Sequence, residues 1–243
     1  MQRTAQTLAE VILDELRDAG RPVRAEAMAA EYGSANLVHL GCTVGDLRGI
    51  AKRHAKHLRT DPGRAVDVVF ALVEQSNHDS RLVAYELLAL IEVARDELAL
   101  QQLGALYRGN DNWAVVDSFC SAISGPQYSA GILAPTVVEG WARSADRWVR
   151  RQGLATVAIA FQRAALRARS PVQPSIRICG ILVDDRTDHV VKALSWALRN
   201  VATRDPDAVE RFVQTYDARL AARVRREVRH KLATGAKNRR KGQ

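Results

Sequence analysis

The sequence predicts an all-α fold of successive helical pairs, an α-solenoid or superhelix, with a compact bundle as the alternative that periodicity leaves open. Three observations carry that expectation. Helical periodicity of apolar residues recurs almost everywhere and no convincing alternating strand interrupts it. Alanine, leucine and arginine dominate while glycine and proline are few, a composition that favours helix. The prolines fall at segment starts, at Pro22, Pro62, Pro126, Pro135, Pro171, Pro174 and Pro206, where a missing N–H costs little.

Taken in order, the first predicted helix, 4–19, is amphipathic, with Glu10, Asp14 and Glu15 among its apolar residues, which argues against a signal peptide. A second, 22–32, opens on Pro22, and a third, 45–58, carries a basic face of Lys52, Arg53, His54, Lys56, His57 and Arg59. The helix 62–75 starts at Asp61-Pro62, an N-cap followed by proline in the first turn. Helices 79–94, 96–106, 111–123, 128–142, 146–168 and 174–184 follow, joined by short connections; the two prolines of 169–175 read as an inter-helix turn. After 188–203, the Asp205-Pro206 pair repeats the cap-and-proline start for 206–216, and a basic helix spans 218–233. Successive helices pair at roughly 35–45 residues, the spacing of HEAT or armadillo hairpins, whose concave face can follow an extended ligand. No linker is visible, so residues 1–233 read as one repeat domain, with a basic tail at 234–243.

Composition narrows the function classes. At 243 residues, with 47% hydrophobic and 26% charged residues, the chain has the balance of a soluble globular domain. No stretch approaches the roughly 20 apolar residues of a membrane span, and we expect no membrane partner. Cys42, Cys120 and Cys179 are too scattered for a disulfide framework or a zinc site, so a reducing cytoplasm is the expected compartment. The net charge of +9 is segregated. Between Arg219 and Lys241 ten Lys or Arg residues face one acid, Glu227, and the rest of the chain is neutral overall. Such a block attracts polyanions, nucleic acid first, although a solvated helix face explains it equally well.

Three of the four tryptophans sit beside charges at helical spacing. Trp113 and Asp117 are i, i+4 on one helix face; Trp148 and Arg151 are i, i+3; Trp196 neighbours Lys192 and Arg199. Rings interleaved with cations suit a surface that packs on sugars while the cations hold phosphates. The plainer reading of each is a core or rim tryptophan with a solvated or capping aspartate nearby. Other constellations are set aside. His54 and His57 lack acidic or thiolate support for a metal. Cys120 reads as buried packing. Asp184, Asp185 and Asp188 read as a loop and a cap. No phosphate-binding glycine loop or catalytic triad is present, and no cofactor or metal is implied.

The stretches Trp113-Ala-Val-Val-Asp117, Trp148-Val-Arg150-Arg151 and Lys192-Ala-Leu-Ser-Trp196-Ala-Leu-Arg199 resemble, in this order, the signature segments of the AlkD-like DNA alkylation repair family, the HEAT-like-repeat alkylpurine DNA glycosylases. Weaker echoes upstream are Leu40-Gly41 with Leu47-Arg48 and Ala51-Lys52, and His78-Asp79-Ser80-Arg81 with Leu87-Leu88. The similarity spans about residues 28–216.

The resemblance implies a HEAT-like superhelix with a concave DNA-binding cleft. It assigns Asp117, Trp113 and Trp196 to catalysis and Arg151 to a flanking phosphate. The same stretches supply Trp148, Arg150, Lys192, Arg199, Arg48 and Lys52 as further DNA contacts. The implied partner is duplex DNA carrying N3- or N7-alkylated purines, processed by a monomer in the cytoplasm at the nucleoid. This family resembles an exception among glycosylases, because the lesion is processed while still stacked. The sequence departs from the pattern at Asn112 and Ala114, which flank Trp113, and at Ser195, which replaces a glycine before Trp196. Tyr32 is a candidate for an N-terminal aromatic that relatives present to the lesion, if an insertion is allowed. Relatives that keep the fold without activity usually alter the tryptophan or aspartate positions, and all are kept here. The competing expectations are a silent module for distorted or branched DNA, and a protein-binding scaffold.

Overall fold

The computed structural model describes residues 4–236. Among these residues every regular element is helical; the backbone's one β-type contact is an isolated parallel bridge between Val38 and Asn77. The basic tail expected at 234–243 lies outside the described residues from Lys237 onward. The chain forms two compact units, one ending at Ile123 and the other beginning at Ser124.

The first unit contains α1 (Ala5–Ala19), α2 (Pro22–Tyr32), α3 (Val44–Leu58), α4 (Pro62–Val73), α5 (His78–Leu90), α6 (Glu92–Asp96), α7 (Leu100–Tyr107) and α8 (Trp113–Phe119). Its core is made where α4 and α5 meet α1 and α3, burying Ile12, Leu16, Leu58, Leu72, Leu87 and Leu88. Each such side chain contributes about 1.5–3 kcal/mol by leaving water. Starts are set by caps. Thr43 and Asp46 form a reciprocal capping box on α3, the Asp61 carboxylate accepts from Arg64 N–H at 3.0 Å, and Asn77 caps α5 through Ser80 N–H at 2.9 Å. The predicted helix 79–94 is broken at Ile91, whose φ/ψ of −118°/75° is non-helical.

In the second unit are α9 (Gly125–Ala130), α10 (Pro135–Ala142), α11 (Arg147–Gln162), α12 (Ala164–Arg167), α13 (Val172–Ile181), α14 (Asp188–Val201), α15 (Pro206–Tyr216) and α16 (Ala222–Thr234). Here α11 is buried along most of its length and packs chiefly on α14, which buries Val190, Ala193, Leu194, Ala197, Leu198 and Val201. Gly153 of α11 permits a close approach to α10, since a Cβ there would lie 3.2 Å from Ala142 N and 3.3 Å from the Val138 carbonyl. Asp205 caps α15 through Ala208 N–H at 2.8 Å, as its Asp-Pro sequence predicts.

Three further predicted helices are interrupted. The helix predicted at 111–123 ends as a π-helical turn, Cys120–Ser124; Pro126 cannot donate to residue 122, and a widened turn relieves that loss. The helix predicted at 128–142 is two, split where Gly131 turns left-handed at φ +77° and Pro135 restarts the chain. The helix predicted at 146–168 breaks at Arg163, which is extended at φ/ψ −92°/136°. All three cysteines are buried and unbridged. Among the described residues no helix is long and apolar enough to cross a membrane.

Candidate nucleic-acid interface

In the first unit the candidate site is built around the start of α8. Asn112 caps it, its side-chain oxygen accepting from Val115 N–H at 3.0 Å. Its amide nitrogen donates to Ser34 Oγ at 2.8 Å. The preceding Asp111 accepts from the backbone N–H groups of Ala35 and Asn36 at 2.7 and 2.6 Å. The loop after α2 is therefore tied directly to the helix that carries Trp113 and Asp117. Asn112, a departure from the family pattern, is here a fully buried structural residue.

Trp113 and Asp117 are both half-buried and one turn apart. The Trp113 ring meets the edge of Tyr32 at 5.3 Å between centroids. Tyr32 stacks on His78 at 5.4 Å, and His78 lies 4.4 Å from His39. Tyr32 thus stands beside Trp113, while His39 and His78 belong to the cluster although sequence reasoning gave them no role. The usable signal was the His78-Asp79-Ser80-Arg81 stretch, and its meaning is structural. Buried Asp79 accepts from the N–H groups of Leu40 and Cys42 at 2.8 and 3.0 Å. Arg81 and Tyr85 both donate to the Leu106 carbonyl and to Asn110 Oδ1. One helix, α5, thereby fixes both loops that bracket the rings.

Burial holds the His78 imidazole down at about 4, with neighbouring His39 acting in the same direction. His39 is lowered by burial too. Both rings are consequently neutral near pH 7, and the cluster presents π-faces without a fixed positive charge. On α3, Arg48 is exposed and pairs loosely with Glu86 at 3.4 Å, and Lys52 is exposed. His54 is engaged by Glu15 at 2.8 Å, which assigns it to packing α3 on α1.

In the second unit Trp196 is half-buried on α14, with His189, Lys192 and Arg199 at the spacings that share its helix face. Lys192 pairs with Asp188 at 2.6 Å. Arg199 is committed inward, to Glu227 at 3.5 Å and to the Ser195 carbonyl at 3.2 Å. Ser195, buried, donates to Glu227 Oε2 at 2.6 Å, so the serine standing for glycine anchors α16. Arg151 is 6% exposed and donates to the His189 carbonyl at 2.7 Å.

Trp148 and Arg150, also expected on the DNA surface, join Arg151 and Arg199 in packing roles. Trp148 is only 7% exposed, lying 4.7 Å from the His189 ring with the Arg147 guanidinium 5.0 Å over its face. Arg150 is held by Asp185 at 2.7 Å and by the carbonyls of Ser144 and Ala145. At helical spacing alone, an inward and an outward tryptophan look alike. Among the described residues no group of three or more His, Cys, Asp or Glu is placed to hold a metal ion.

A structure described as a predicted DNA alkylation repair enzyme from Enterococcus faecalis is similar with a TM-score of 0.70 and 19% identity, covering 88% of this chain and 97% of that one. AlkD2 from Streptococcus mutans is similar at 17% identity and a TM-score of 0.41, over 76% of this chain and 97% of that one. No curated protein matches. The first of these likenesses shows the helical-repeat fold. The family model for the DNA alkylation repair enzyme matches residues 12–232. The chain belongs to the DNA alkylation repair enzyme family.

Proposed function

We propose that this protein is a monofunctional DNA glycosylase that removes N3- and N7-alkylated purines from duplex DNA. The observation that carries the reading is the pairing of half-buried Trp113 and Asp117 one turn apart on α8, with the helix start pinned by Asn112 and Asp111. An alkylated purine carries a positive charge, so its bond to C1′ already has a good leaving group. As that bond breaks, the electron pair leaves with the base, which becomes neutral, and the sugar gains oxocarbenium character. The Asp117 carboxylate stabilises that cation and orients the water that adds to C1′. The indole face of Trp113 packs on the backbone and attracts the developing positive charge, and Trp196, in the second unit, is a backbone contact of its own. With His39 and His78 neutral, no fixed imidazolium opposes a cationic lesion near Trp113. Lys192, Arg48 and Lys52, all exposed, supply phosphate contacts, and the chemistry asks for no cofactor and no second subunit. The proposed setting is the cytoplasm, on nucleoid DNA.

The test is base release from a duplex bearing one N7-methylguanine, with wild type and Asp117→Asn compared. Wild type releases the base, and the variant loses on the order of a hundredfold or more in single-turnover rate while still binding the duplex. A wild type that binds but releases nothing, from this duplex and from one with N3-methyladenine, leaves the alternative of a non-catalytic module for damaged or branched DNA.

A further inference from the structure

The basic helix α16 has an outward face that none of the proposed site residues occupies. Val224 and Val228, one turn apart, are fully buried on its inner side, against α14 and α15. Arg226 and Arg229 stand on the opposite arc with Arg225 at its flank, Arg226 exposed and Arg225 and Arg229 with side chains 37% and 60% accessible. The helix's own acid, Glu227, is turned away from that arc and gathers Ser195, Arg199 and Arg223. Asp217, in the turn before α16, pairs with Arg225 at 3.9 Å and Arg229 at 2.7 Å. These are exposed pairs of the kind that contribute little in water and exchange partners readily.

We infer that the Arg225, Arg226 and Arg229 face of α16 is a second contact strip for the sugar-phosphate backbone of duplex DNA, kept in register with the Trp196 helix by Glu227. The inference rests on the DNA-repair reading above. Charge selects a polyanion. An anionic membrane fits less well, because an interfacial helix needs large apolar side chains beside its cations, and those of α16 are buried valines. Asp217 acts as a stand-in anion that phosphate displaces. The strip explains why Arg199, expected on the DNA surface, faces inward: it shares Glu227 with Arg223 and helps seat α16.

The strip is tested by titrating a labelled undamaged duplex across a salt series. Three variants are compared with wild type: Arg226→Gln/Arg229→Gln, Asp217→Asn, and Arg17→Gln on α1 as a surface-charge control. The double variant should reduce the slope of log K against log salt by roughly 0.9 for each phosphate that is no longer neutralised. Asp217→Asn should tighten binding, a gain that a merely structural role for Asp217 does not produce. Thermal melts establish that the variants fold. Slopes equal to those of wild type and Arg17→Gln, together with no tightening in Asp217→Asn, overturn the strip. If the wild type still releases N7-methylguanine under that outcome, the glycosylase reading survives it. Absence of any duplex binding by the wild type overturns both.

Discussion

Asn112 shows how a single side chain prepares the site. It caps α8 through Val115 N–H and reaches Ser34 across the loop after α2. Replacing it with alanine should cost about 1 kcal/mol for the missing cap and about 1 kcal/mol for the broken buried hydrogen bond. Urea unfolding checks the stability, and single-turnover base release should fall with it because Trp113 follows directly. His78 sets a pH dependence. Its folded value is depressed to about 4 by burial, whereas an unfolded histidine protonates near 6.5. The unfolded chain therefore binds the proton first as pH falls. Stability present above about 6.5 should be lost progressively towards about 4, by roughly 3 kcal/mol. His39, Asp79 and Asp111 are the charged or titratable groups that bear on this imidazole. In His78→Phe that part of the pH dependence should disappear from a series of melts. The pairing of Trp113 with Asp117 was legible in the sequence because i, i+4 spacing is a local property. His39 was not, and Tyr32 entered only through the family resemblance, because only the folded loop after α2 brings these rings to a helix some eighty residues away.

At the scale of elements, the helices were readable where chemistry punctuates them. Asp61-Pro62 and Asp205-Pro206 announced their starts, and both act as predicted. The breaks at Ile91 and Arg163 carry no proline or glycine to mark them, so the apolar helical pattern reads straight through both. Trp148 shows a related gap between spacing and orientation. Its spacing to Arg151 placed it correctly on α11 but gave no hint of which side faces His189. The tight connections make a differential prediction. Gly41 sits at φ +83°, and a Cβ there would lie 2.3 Å from the Arg21 carbonyl. Gly131 is also left-handed, at φ +77°, but has open space around it. Gly131→Ala should cost about 1 kcal/mol, from backbone conformation alone. Gly41→Ala should cost clearly more, since the backbone of α2 must also move, and paired thermal melts distinguish the two.

For the whole molecule the governing quantity is where the charge lies. The segment from Arg219 to Lys241 carries the full net charge of +9, so electrostatic attraction to DNA is concentrated at one end of the sequence. Removing residues 237–243 takes away Lys237, Arg239, Arg240 and Lys241, which lie outside the described residues. That truncation should weaken duplex binding at low salt and flatten its salt dependence. The single-turnover rate at saturating protein should stay unchanged, as the two readouts measured side by side will reveal. The link between the α2 loop and the start of α8 has a further meaning, in time. Asp111 and Asn112 close contacts with Ala35, Asn36 and Ser34 across 75 to 78 residues of chain. Closures over such separations are entropically late. The first turn of α8 should therefore order after the helices beneath it. Substitutions at Asp111 would then speed unfolding and leave the folding rate nearly untouched. A newly made chain would carry a formed core before it carried a finished Trp113 and Asp117, with the chemistry assembled last.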